Sequence, residues 1–209
     1  MYRFLLVIGL IGLVLSACSA SSKGTSQLGF VEAYKDNPLM AETMADLMIE
    51  YITDLQIAAN ERKKPISDPA ILRAMDDTFI VARRMRDDAH KKQDEGKRGG
   101  FHGVLESYVE GEVLLHGEKL YFGYNFRSDV VRDLRVILSK HVAPSTEAEL
   151  EAEPSLDLGP LQNIVGPQEY QVGKLSAAEW NQYRTVTLYS PSMKSVMGFA
   201  QLRGKVLEE

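Results

Sequence analysis

Apolar positions along this chain change their spacing three times, and each change marks a boundary. Phe4 to Leu15 is an apolar run of twelve residues broken only by glycines. It is short of the roughly 20 residues that a permanent membrane helix needs, and it suits the core of a signal peptide with Arg3 in front of it. Residues 19–29, SASSKGTSQLG, are small and polar and read as a flexible tether.

From residue 37 to 98 the apolar spacing is three and four. Asn37-Pro38 supplies an N-cap followed by proline at the first helical position. Met40, Met44, Leu47, Met48, Tyr51, Ile52, Leu55 and Ala59 then form one stripe. Asp68-Pro69 repeats the start signal, and Ile71, Leu72, Met75, Phe79, Ala82, Met85 and Ala89 form a second stripe. The charged run His90 to Arg98 and the pair Gly99-Gly100 end it. Two such helices predict an antiparallel hairpin. Its methionines also suit an adaptable partner surface, and its mixed charge argues against lying on a membrane.

From Phe101 onward the period drops to two. Val109, Val113 and Leu115 alternate with polar residues, His116-Gly117-Glu118-Lys119 is a turn, and Leu120 to Phe126 continues as a strand. Further strands are expected at Asp133 to Ser139, around Tyr170 and Val172, at Arg184 to Tyr189 and at Val196 to Leu202. Ser176-x-x-Glu179 has the form of a capping box and predicts a short helical turn. Residues 140–155, with Pro144, Pro154 and the acidic stretch 145–154, read as a loop. The expected fold class is α+β: an N-terminal helical hairpin (37–98) followed by an all-β sandwich-like domain (99–209).

Composition refines this picture in two ways. A formal net charge of -5 argues against nucleic acid, which needs a concentrated basic face. There is one cysteine, Cys18, so the core must hold without an intrachain disulfide. Leu15-Ser16-Ala17-Cys18 resembles the lipobox of bacterial lipoproteins. That resemblance implies a signal peptide over 1–17, cleavage before Cys18, acylation of Cys18 and a lipidated tether over 18–36. Several acyl chains make a stable membrane anchor. Ser19, where aspartate would favour retention, implies by the same resemblance an outer-membrane location facing the periplasm. In a host with one membrane the protein would sit on its outer face.

Three blocks resemble the DM-thirteen domain, often labelled an electron-transfer domain. They are Gly100-Phe101-His102 with Gly111-Glu112-Val113, then Asp133 to Ser139, and then Leu158-Gly159-Pro160-Leu161, Gly166-x-Gln168-x-Tyr170 and Thr185 to Leu202. The resemblance implies a β-sandwich-like fold in an extracytoplasmic protein. The chain departs from the family at Val131-Arg132, where Gly-Pro is common, and at Ser190, where the family's proposed redox cysteine stands. A serine hydroxyl neither cycles to a disulfide nor binds a soft metal as a thiolate does.

No catalytic constellation is present. The four histidines, His90, His102, His116 and His141, lack metal-motif spacing, and Met193 and Met197 flank a turn without any haem-attachment motif. The acidic residues from Glu147 to Glu153 lack the alternating ligands and central glycine of a calcium loop. Gln168, Tyr170, Trp180 and Tyr183 offer an aromatic ligand surface at one end of the β domain, or else Trp180 plugs the base of its core. The expected function is a lipid-anchored, non-catalytic interaction module without a cofactor. It would meet the membrane through Cys18 and an envelope protein through the helical hairpin. The alternative is an electron-transfer component whose bound cofactor is held by His or Met.

Overall fold

The computed structural model describes residues 36–62 and 64–204. The apolar run, Cys18 and the tether lie outside them. The fold is α+β, with a helical pair followed by an antiparallel, barrel-like β-sheet. Contacts divide it into two compact units. One is Ala41–Asp88; the other joins Asn37–Met40 to the chain from Ala89 onward. The second unit therefore takes in the ends of both helices, which the sequence reading assigned to the hairpin.

Helix α1 spans Pro38–Glu61 and α2 spans Pro69–Asp94. Both start as their caps dictate. Asn37 Oδ1 accepts from the backbone N–H groups of Leu39 and Met40 at 3.1 and 3.3 Å, and Asp68 Oδ1 accepts from Ala70 at 2.8 Å. Within the helical unit the buried apolar residues are Ala41, Ala45, Ile52, Met75 and Ala82. Arg86 pairs with Asp46 at 3.5 Å, joining α2 to α1. Leu47, expected in the buried stripe, is exposed, because two residues of helix turn it about 200° from Ala45. Ile71 and Leu72, in the first turn of α2, are exposed as well.

The other unit is built on one continuous ladder, β7-β6-β9-β10-β1-β3-β4-β8. The strands are β1 Lys97–Gly103, β3 Glu112–His116, β4 Lys119–Phe122, β6 Arg135–Ser139, β7 Ser155–Pro160, β8 Gln168–Gln171, β9 Thr185–Ser190 and β10 Ser195–Gln201. Two short pieces, β2 Val109–Glu110 and β5 Arg127–Ser128, pair with each other, and β11 Arg203–Gly204 pairs with the start of β1.

Strand β1 corrects the sequence reading, which carried the helix to Arg98 and broke it at Gly99-Gly100. The helix ends at Asp94, and those glycines lie inside a strand. Residues Lys97 to Gly100 pair with β3, and Phe101 to Gly103 pair with β10, so β1 passes from one half of the sheet to the other at its glycines. A side chain at Gly99 would collide with the Gln201 carbonyl, so the corner demands glycine there. The expected strand from Leu120 to Phe126 stops at Phe122, where a turn closed by Phe126 N–H on the Gly123 carbonyl takes over.

The stretch read as a loop over 140–155 holds a helix, α3 Glu147–Glu151, and the start of β7. Thr146 and Glu149 form a complete capping box. Leu150 is buried with Val104, Ile137 and Val196 on the outer face of the sheet. The Tyr189 hydroxyl donates to Glu147, tying α3 to β9. The predicted capping box at Ser176 and Glu179 likewise opens α4, Ala177–Gln182.

Alternation along the strands then fills the interior. Val113 and Leu115 of β3, Leu120 and Phe122 of β4, Val136 and Leu138 of β6, and Val186 and Leu188 of β9 share one core with Phe101, Phe126 and Tyr170. Phe101, Phe122 and Phe126 meet edge-on or tilted with centroids 4.7–5.4 Å apart. On the outer face, Leu114 and Tyr121 are covered by Leu39.

Candidate functional site

Ser190 is the last residue of β9 and fully buried. Its Oγ lies 2.9 Å from Asp133 Oδ1 and 3.2 Å from the Arg132 carbonyl, and it accepts from Met193 N–H at 3.3 Å. Ser192 also binds Asp133, through its N–H at 3.0 Å and its hydroxyl at 2.9 Å. Asp133 is held at a φ of 49°, a left-handed conformation that aspartate tolerates. Desolvation raises its carboxyl, but the hydrogen bonds from Ser192 and Ser190 together outweigh this and hold it below the usual carboxylate value. The cluster clamps the β9–β10 turn to the turn that leads into β6. Each hydroxyl in it is engaged in holding the backbone.

The four residues expected to offer an aromatic surface are all buried. They hold the fold together instead. The Tyr170 hydroxyl donates to Gln168 Oε1 at 2.7 Å and accepts from Gln162 N–H at 3.0 Å. Gln168 Oε1 also accepts from Gln162 and Asn163, and its amide donates to the Asn163 carbonyl at 2.9 Å. These bonds fasten the β7–β8 connection over the core. Burial pushes the Tyr170 hydroxyl up to about 12.

Trp180, on α4, and Tyr183, which caps its C-terminus, sit at the opposite end and are fixed by a buried lysine. Lys97 Nζ donates to the Trp180 and Tyr183 carbonyls at 2.5 and 2.9 Å and lies 5.7 Å from the Trp180 ring centroid. These carbonyls end a helix, where a cation is favoured. Burial, and secondarily Arg184, lower the Lys97 pKa. Trp180 therefore plugs the base of the core, as one of the two sequence readings had it.

One side of Trp180 borders a shallow cavity of about 340 Å³ with Leu175, Lys174, Glu95 and the His116–Glu118 turn. His116 Nε2 lies 3.7 Å from Glu95 Oε2. Among the described residues no group of three or more His, Cys, Asp or Glu side chains is placed to hold a metal ion. Met197 is buried with its sulfur 3.9 Å from the Ser107 hydroxyl, and Met193 is exposed on the β9–β10 turn.

A feature absent from the sequence reading emerges from the strand register. Gly103 pairs with Gly198, Arg135 with Tyr189 and with Pro160, and Phe122 with Gln168. The connections β1–β2, β4–β5, β5–β6, β7–β8 and β9–β10 therefore emerge at the same end of the sheet. Hydrogen bonds cross-link them: Tyr108 N–H donates to Asp129 Oδ2 at 2.7 Å, Asp129 N–H to the Tyr108 carbonyl at 2.9 Å, and Ser128 N–H to the Ile164 carbonyl at 2.9 Å. This loop end carries the exposed large hydrophobics Leu105, Tyr108, Tyr124, Val130, Ile164, Val165 and Met193. Among the described residues of this unit the remaining one is Val142, beyond β6 at the other end. Concentration of apolar surface at one end is the mark of a contact surface.

No known protein family, curated protein or solved structure matches the chain.

Proposed function

We propose that the protein is a lipid-anchored lipoprotein of the cell envelope that acts as a non-catalytic interaction module. Cys18 is its acylation site and the outer membrane, facing the periplasm, its location. The observation that carries this reading is the division of labour among its side chains. Polar groups with chemical potential, namely Ser190, Tyr170, Gln168 and Lys97, are buried and bound to backbone or to one another. Apolar groups stand exposed on the loop end and on the helices. The resemblance to DM-thirteen domains fits the same reading. Its three blocks fall on strands of one ladder, and the serine at its redox position is built into a turn.

The helical pair is the element for an envelope protein partner. Leu47 and Ile57 of α1 are exposed beside Asp46, Glu50 and Asp54, and α1 contains no lysine or arginine. A partner with a basic, apolar face suits it.

The test uses the mature acylated protein as bait in envelope extract, with its absorption spectrum recorded. A colourless protein that captures a partner, and loses it on L47E/I57E substitution, is the expected result. A haem absorption band, a bound metal or a reversible redox wave would replace this reading with electron transfer. Cys18→Ser should move the protein out of the detergent phase; unchanged partitioning would refute the anchor.

A further inference from the structure

We infer that the loop end of the β unit is a lipid-facing surface that rests on the same bilayer to which Cys18 is tethered. The inference builds on the proposed anchor and adds which face of the domain meets the membrane.

Four observations carry it. None of the apolar side chains here lines the cavity beside Trp180. They protrude singly from separate loops: Leu105 is 93% exposed, Val130 84%, Met193 58% and Val165 57%. Separate apolar tips that penetrate a headgroup layer need no complementary pocket, whereas a protein partner would have to supply one for each.

Charge gives the second. The acidic residues of these loops, Glu106, Asp129 and Asp133, stand against the basic residues Arg132 and Lys194, and Arg127 of β5 is paired with Glu110 of β2, so the end carries an excess of one negative charge. Two of those carboxylates already accept hydrogen bonds within the loops, Asp129 from Tyr108 and Asp133 from Ser190 and Ser192. No field of one sign is left to attract a charged partner, so contact depends on apolar area.

The third is aromatic. Tyr108 and Tyr124 are half exposed on these same loops. Tyrosine is enriched at membrane interfaces, where its ring and hydroxyl meet the headgroups.

The fourth is where the chain enters. Asn37, the first residue of the β unit, donates through its amide to the Phe122 carbonyl at 3.2 Å. Phe122 is the last residue of β4 at the loop end, two positions before Tyr124. The segment from Cys18 therefore joins the domain beside the apolar tips. Its nineteen residues reach at most about 65 Å, enough to let that end return to the bilayer.

The mature full-length chain, acylated at Cys18, is reconstituted into phosphatidylcholine vesicles. A polarity-sensitive probe is attached at L105C, V130C or V142C, one at a time. All three positions are exposed, so labelling spares the core. The expected result is a blue shift at 105 and 130, with loss of fluorescence to lipids spin-labelled near the headgroup, and neither effect at 142. Adding anionic lipid or salt should change the signal little.

Signals at 105 and 130 that match those in lipid-free buffer would overturn the inference. A blue shift that appears only after envelope protein is added would do so too, assigning the surface to a protein partner. Equal effects at all three sites would show that the domain has no preferred face. The mass of the amino-terminal fragment separates the two layers of argument. Unquenched probes on acylated protein sink the loop-end assignment alone, whereas missing acyl chains sink the anchor and this inference with it.

Discussion

Replacing Ser190 tests whether its hydroxyl serves as a structural clamp. The hydroxyl is fully buried, and its bond to Asp133 at 2.9 Å has an ionised acceptor. Hydrogen bonds to charged groups contribute about 1.5–3 kcal/mol, more than neutral ones. Ser190→Ala also leaves Met193 N–H without the acceptor it has at 3.3 Å. Asp133 itself is exposed to solvent, so the expected destabilisation is about 1–2 kcal/mol, or roughly 5- to 30-fold in the unfolding equilibrium. Urea unfolding of the full chain, followed by fluorescence of Trp180, reports on this unit, because the chain has one tryptophan and it lies in this core. The midpoint should fall at constant slope. The loss should also depend on pH. The folded Asp133 carboxyl lies below its unfolded value, so its bonds stabilise fully above the unfolded pKa near 3.9. That contribution fades as pH falls through the lower folded value, and the gap between wild type and Ser190→Ala should narrow there. A change under about 0.5 kcal/mol at neutral pH would refute the clamp, since surface substitutions alone reach that size. Ser190→Cys should also destabilise, because a thiol is a weak donor, and its sulfur should resist thiol reagents until unfolding. Rapid labelling of the native variant would contradict the burial.

Three further outcomes follow from the packing. Leu150→Ala should cost about 2–3 kcal/mol, the lower part of the usual range for a short helix that can settle, and should raise binding of a hydrophobic dye as Val104, Ile137 and Val196 are uncovered; unchanged dye binding would mean that α3 does not cover them. Lys97→Met leaves two helix-end carbonyls without their donor and should destabilise by about 1–3 kcal/mol. Because Lys97 is lowered, the unfolded chain holds its proton to higher pH; wild-type stability relative to Lys97→Met should rise as pH climbs from the folded value toward about 10.4, and a flat difference would count against the burial. Alkaline absorbance titration should show Tyr170 and Tyr189 ionising late, both pushed up to about 12: Tyr170 chiefly from burial and Tyr189 chiefly from its bond to Glu147. Tyr189 alone should move down in Glu147→Gln.

What the sequence made legible was local. Asn37-Pro38, Asp68-Pro69 and Ser176-x-x-Glu179 each satisfy backbone donors within three residues, so each start signal was met by a helix. The same chemistry at Thr146-x-x-Glu149 was hidden because Pro144 and Pro154 bracket it and Leu150 alone marks its buried face. The alternation at Val113 and Leu115, and at Val136 and Leu138, located strands because one face of each is in the core. Strand β1 escaped notice for the opposite reason. Its residues KRGGFHG include three glycines, placed where β1 crosses from β3 to β10. A pattern of apolar residues cannot register a strand whose role is to let other backbones come close.

The aromatic ligand surface failed on the same ground. Sequence proximity of Gln168, Tyr170, Trp180 and Tyr183 suggested one site, but β8 carries the first pair at the loop end and α4 holds the second beside Lys97. Polar atoms on buried aromatic residues need partners, and the Tyr170 hydroxyl finds them in the Gln162 backbone and the Gln168 side chain. Conversely, Leu105, Val130, Val165 and Met193 lie in separate turns and form no periodic pattern, so each looks incidental along the chain. Only the register, Gly103 with Gly198 and Phe122 with Gln168, shows that their loops share one end. Such residues do not earn their place by packing, since they face solvent. Their gathering at one end, with the entering chain beside them and charges that cancel to within one unit, points to a reason outside the folded domain. On the proposed anchoring at Cys18, the lipid phase would supply it.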